Sequence, residues 1–120
     1  MKAKVLKIPA RGEWSFVEVD AAADGTVPLE TLQDAVGGWI ECWWLGEVGF
    51  LGLDLFLNEE GKINRLSFNP IATRLYGIFR RGDCIVGDVI VCARNENSST
   101  VGLTDKDELE LRRRLSELGC

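Results

Sequence analysis

Two apolar runs near the centre of the chain, Trp39 to Leu45 and Phe50 to Leu57, limit its possible folds more than any other stretch. Side chains alternate between the two faces of an extended strand. The first run therefore sets Ile40, Cys42 and Trp44 on one face and Trp39, Glu41 and Trp43 on the other. The second sets Leu51, Leu53, Leu55 and Leu57 against Phe50, Gly52, Asp54 and Phe56. Both faces of such a hairpin are apolar. A four-leucine face needs a core, which helices packed on the sheet supply. The opposite face, with indole rings among its side chains, needs a helix, a partner or a ligand over it.

The flanking segments supply those helices. Lys4–Ile8 and Trp14–Val19 read as a hairpin around Pro9 to Gly12. Pro28 opens a short helix with Leu29, Leu32 and Val36 on one side, stopped by Gly37 and Gly38. Asn58 to Gly61 is a turn that leads into a short return strand, Lys62–Leu66. Asn69 caps a second helix that has Pro70 at its first position, points Ile71, Leu75 and Tyr76 inward and ends at Gly77 or Gly82. Ile85–Cys92 is a β-branched strand in which Gly87 marks a bulge or close approach. A polar loop, Asn95 to Thr100, precedes a last helix opened by a Thr104–Asp107 capping box and striped by Leu111, Leu115 and Leu118. Glu108–Arg112 and Glu110–Arg114 are spaced to pair along it. The expected architecture is α+β: one domain spanning residues 1–120, a mainly antiparallel sheet of five or six strands, and two or three packed helices.

Composition removes several function classes. A net charge of -5 has the wrong sign for a protein that grips phosphates, so a nucleic-acid partner is disfavoured. His is absent, and with it the commonest general base and transition-metal ligand. The thiols Cys42, Cys84, Cys92 and Cys120 form no C-x-x-C pair; they read as free, with Cys42 and Cys92 buried in strands. No cofactor or metal is expected. No apolar stretch is long enough to span a bilayer, and the start of the chain lacks the apolar segment of a signal peptide, which points to the cytosol.

Neither a G-x-S-x-G elbow nor a phosphate-binding loop is present, so catalysis has no support from motifs. The weaker candidates are Asp54, an acid in mid-strand that needs water or a partner such as Arg74, and the basic group Arg74, Arg80 and Arg81 beside Tyr76 and Phe79. The unusual feature is the group Trp39, Trp43 and Trp44. A self-complementary sheet-face or edge homodimer would cover such rings with few special residues.

In sequence order, five segments resemble the small bacterial and phage domain-of-unknown-function family numbered three-eight-four-six. They are Leu32 to Glu41, Asn58 to Lys62, Phe68 to Ala72, Ile85 to Val91, and the stretch from Leu103, Thr104 and Asp105 onward. The resemblance spans roughly residues 29–111 and departs from the family pattern at Trp43-Trp44 and Ser67-Phe68. It implies a setting in phages, prophages, plasmids and actinobacterial genomes, and no catalytic residue. The expectation that follows is a non-catalytic, homodimeric binding protein in a bacterial host cytosol. It would act on a host protein or a small nucleotide signal, with counter-defence as one role, through a surface or pocket edged by Trp43, Asp54, Asn69, Arg74, Arg80 and Arg81. The alternatives are a small hydrolase using Asp54 or Asp83 with a metal, and a nucleic-acid accessory protein.

Overall fold

The computed structural model covers the whole chain and describes residues 1–77 and 84–120. Six strands, β1 (Lys2–Ile8), β2 (Ser15–Asp20), β3 (Ile40–Trp44), β4 (Leu53–Asn58), β5 (Val89–Arg94) and β6 (Thr100–Val101), form one antiparallel sheet. Three helices, α1 (Leu29–Val36), α2 (Pro70–Tyr76) and α3 (Asp105–Glu117), complete an α+β fold. The strand order is β2-β1-β5-β4-β3, with β6 beside β5. The last long strand thus lies in the middle, between the two hairpins, and β2 and β3 lie at the edges.

Two apolar layers sandwich the sheet. On one face, Leu53, Leu55 and Leu57 of β4 meet Leu75 and Tyr76 of α2 and Leu111 and Leu115 of α3. On the other, Phe56, Ile90 and Cys92 meet Leu32 and Val36 of α1. The two-faced hydrophobicity of β4 has a physical cause: it is an interior strand with helices on both sides, and all six of its residues are buried.

Local chemistry starts the helices as the sequence predicts. Asn69 accepts from the Ala72 amide with Pro70 in the first turn, and Thr104 and Asp107 form a reciprocal capping box. Pro28 stands at the cap of α1, one position before its first helical residue.

Elsewhere the structure corrects the sequence reading. Lys62–Leu66 is not a strand; Asn64 donates to Glu60 O, Leu66 to Gly61 O, and Arg65 takes a positive φ of 56°, so the segment is a run of turns. The late strand runs Val89–Arg94, because Gly87 at φ 79° breaks it and leaves Val86 in an isolated bridge to Phe68. The left-handed φ of Gly87 favours glycine there, and an added Cβ would also come 2.8 Å from Leu66 Cδ1, which would have to move. Leu51 is 73% exposed, and Phe50 joins the leucine face, because Phe50 and Leu51 sit in the turn before β4. Cys42 is exposed rather than buried. Arg114 does not pair with Glu110; it donates to Val48 O at 2.8 Å and lies over the Phe50 ring.

Candidate functional site

The register of β3 on β4 decides where the candidate side chains point. Trp43 stands opposite Leu55 and Trp44 opposite Asp54. Trp43 therefore joins the leucine face, buried and tilted against Tyr76 with ring centroids 4.7 Å apart. Asp54 faces the other way, toward the α1 side of the sheet, and is 4% exposed. Its partner is Arg94 rather than Arg74: the guanidinium Nε and Nη2 reach its two oxygens at 2.9 and 2.5 Å. This fork is bidentate, the geometry that suits guanidinium to carboxylate.

Asn69 is completely buried, and its amide is spent on structure. It donates to Ile8 O and Gly87 O at 2.9 Å each, and its oxygen accepts from Ala72 N at 3.0 Å. Arg74 is exposed on α2, with its Nη1 4.0 Å from the Cys120 sulfur. Arg80 and Arg81, together with Phe79 and Asp83, lie outside the described residues. The described members of the expected group do not converge, since Trp43 and Asp54 occupy opposite faces of the sheet.

The acid does gather two thiols. Desolvation, followed by the charge of Asp54, pushes the buried Cys92 thiol up to about 12 and the Cys42 thiol, whose sulfur is partly shielded although the residue as a whole is exposed, up to about 11. A thiol in that state is protonated at neutral pH and is a poor nucleophile. The hydrogen bond to Asp54, followed by its charge, also raises the Arg94 pKa. Among the described residues, no group of three or more His, Cys, Asp or Glu is placed to hold a metal ion.

Hollows are modest. One of about 210 Å³ beside Trp43 is lined by Glu41, Asn58, Lys62, Cys84 and Val86 among others. That is below the range of about 300–1,000 Å³ usual for a small-molecule site. Two larger troughs, about 390 and 410 Å³, flank α1 and are open to solvent.

The more distinctive surface is the outer side of β3. Among the described residues no strand pairs with that side. Leu45 donates to Leu53 O, and Glu59 to Trp39 O, which fixes the parity of the ladder: odd-numbered residues of β3 bond β4. The N–H and C=O groups of Ile40, Cys42 and Trp44 consequently point away from the sheet. Around them stand Trp39 at 63% exposure, Trp44 at 45% and Leu51 at 73%. The Trp44 indole folds onto Gly46 and donates its N–H to Leu51 O at 2.8 Å, so this ring is held in place rather than loose. Any side chain at position 46 would collide with the ring. The sequence flagged Trp39 and Trp44 by their abundance, but not Leu51, whose alternation pointed inward, nor Arg94.

No helix among the described residues is long and apolar enough to cross a membrane. Neither a curated protein nor a solved structure matches the chain. A family described as a domain of unknown function (DUF3846) matches residues 1–116, further in both directions than the five resembling segments reach.

Proposed function

The chain belongs to the DUF3846 family, and from that premise we propose that it is a non-catalytic binding protein of phage or mobile-element origin whose docking surface is the outer edge of β3. The observation that carries this reading is an interface-like combination on one strand. Among the described residues, nothing bonds the outward backbone groups of Ile40, Cys42 and Trp44, and beside them stand the exposed apolar side chains Trp39, Trp44 and Leu51, of which Trp44 is held by a hydrogen bond. An exposed sheet edge accepts an added strand through its main chain, and neighbouring aromatic rings anchor the partner.

Protein is a better fit to this surface than a nucleotide. The hollow at Trp43 is small, and Arg74 stands apart from it on α2. A hydrolase built on Asp54 is disfavoured for a different reason: the carboxylate is buried and held at both oxygens by Arg94. The setting we favour is the cytosol of a bacterial host, where the partner is a host protein.

The test uses Cys42→Pro. The amide it removes points outward and bonds nothing in β4, and proline is tolerated on edge strands. A host protein captured by the wild type, identified and reconstituted from pure components, should lose at least tenfold in affinity for this variant. Equal affinity, or saturable binding of a cyclic or ADP-ribose-derived nucleotide in calorimetry with no protein partner, would overturn the reading.

A further inference from the structure

The two edges of the sheet are guarded unequally. On β2, Glu18 and Asp20 put charge along the strand, and Lys2 of β1 pairs with Asp20 at its end. Such charges discourage edge-to-edge association. β3 reads Ile40, Glu41, Cys42, Trp43, Trp44, with no proline, no bulge and no lysine. Its single charge, Glu41, belongs to the face opposite its outward-bonding residues.

This strand is also self-complementary. Among the described residues of β3, the N–H and C=O groups of Ile40, Cys42 and Trp44 point outward and bond no other strand. An antiparallel second copy centred on Cys42 sets Cys42 against Cys42, Ile40 against Trp44 and Trp44 against Ile40. This register pairs all three outward residues with one another, each exchanging both backbone bonds with its opposite. A shift toward Ile40 would instead bring Glu41 against Glu41, and a shift toward Trp44 would bring Trp43 against Trp43 and leave Ile40 without a partner from the outward set. In the centred register Glu41 stands across from Trp43, so like charges are kept apart. The two-fold axis runs perpendicular to the sheet. Ile40, Cys42 and Trp44 of both copies then share the α1 face, and each half-exposed Trp44 ring gains an isoleucine beside it.

We infer that the resting occupant of the β3 edge is a second copy of this chain in that register, which a foreign partner displaces. The inference rests on the reading of β3 as the docking surface and names its first ligand. Five residues at about 3.4 Å each give a contact only about 17 Å long, so the interface is small and the dimer is a weak one.

The experiment is sedimentation of the full chain across a concentration series, with far-ultraviolet dichroism as the fold control. Wild type should pass from monomer to dimer, and Cys42→Pro should stay monomeric. Ile40→Lys and Trp44→Glu should each weaken association at least tenfold. Mixed together, those two variants should associate again, because the register places the new ammonium opposite the new carboxylate. A wild type that is monomeric at every concentration, or a mixture no stronger than its components, overturns the second copy as occupant. In that case loss of the reconstituted host complex in Cys42→Pro would still uphold the docking surface. A dimer that survives Cys42→Pro removes the inference and counts against the surface as well.

Discussion

Removing Arg94 should cost the fold more than removing Asp54, although each substitution breaks the same ion pair. The asymmetry comes from burial: the Asp54 side chain is 6% exposed and that of Arg94 is 35%. In Arg94→Ala, a nearly buried carboxylate on the α1 face of the sheet loses both N–H donors and gains only the water that the vacated arginine side chain admits. Breaking a buried pair costs about 3–5 kcal/mol, and the wet side of this one reduces that to about 2–3 kcal/mol. In Asp54→Ala, the guanidinium turns into solvent, and what remains is lost packing and hydrogen bonding of about 1 kcal/mol. Urea unfolding followed by tryptophan fluorescence separates these values. With a slope of about 1–3 kcal/mol per molar, the midpoint should fall by about 1 M for Arg94→Ala and by less than half of that for Asp54→Ala. The apolar pair Asp54→Leu with Arg94→Met should recover most of the loss. Equal midpoints, or Asp54→Ala as the weaker protein, would refute the argument from burial.

Asn69→Ala deletes three hydrogen bonds from a completely buried site and should cost about 3 kcal/mol in the same assay, while Asn69→Asp, which aims a carboxylate at two carbonyls, should be at least as damaging at pH 7. Gly102→Ala should destabilise by about 1–3 kcal/mol, because the new Cβ would stand 3.0 Å from Lys4 N and from the Ala3 Cβ. Stability should decline between about pH 9 and pH 12: the Cys42 and Cys92 thiols and the Lys4 ammonium all have pKa values raised by folding, so their contributions are complete below the unfolded values and are lost as pH climbs through the folded ones. Thermal melts across that range check the direction, and Cys92→Ala should remove part of the decline. At pH 8 alkylation of Cys42 should be slower than that of a model thiol despite its exposure, and Asp54→Asn should speed it.

Much of the framework is legible in the sequence because local chemistry sets it. Asn69 with Pro70, and Thr104 with Asp107, mark helix starts by hydrogen bonds made within one turn. Alternation in Leu53–Leu57 names a strand buried on both sides. What alternation cannot carry is the effect of a turn or of distant pairing. Leu51 obeys the leucine period yet lies before β4 begins, so it faces water. Lys62–Leu66 looks strand-like until Arg65 turns left-handed. The Asp54–Arg94 fork joins residues forty positions apart and exists only because β4 pairs with β5 in a register that sets Asp54 opposite Cys92. Composition offers Arg74 as the partner of Asp54, but topology brings Arg94 to it and leaves Arg74 on α2. The open side of β3 follows from strand order, since Trp39 and Trp44 announce an apolar surface while only the ladder shows which amides face outward.

Amide hydrogen exchange, resolved by residue at low and high protein concentration, tests that last point most directly. The account predicts that Ile40, Cys42 and Trp44 exchange quickly in dilute protein and gain protection as concentration rises, while Glu41 and Trp43, bonded to β4, stay slow throughout. Protection that does not change with concentration, or that rises equally at odd and even positions, would contradict an open β3 edge awaiting a second strand.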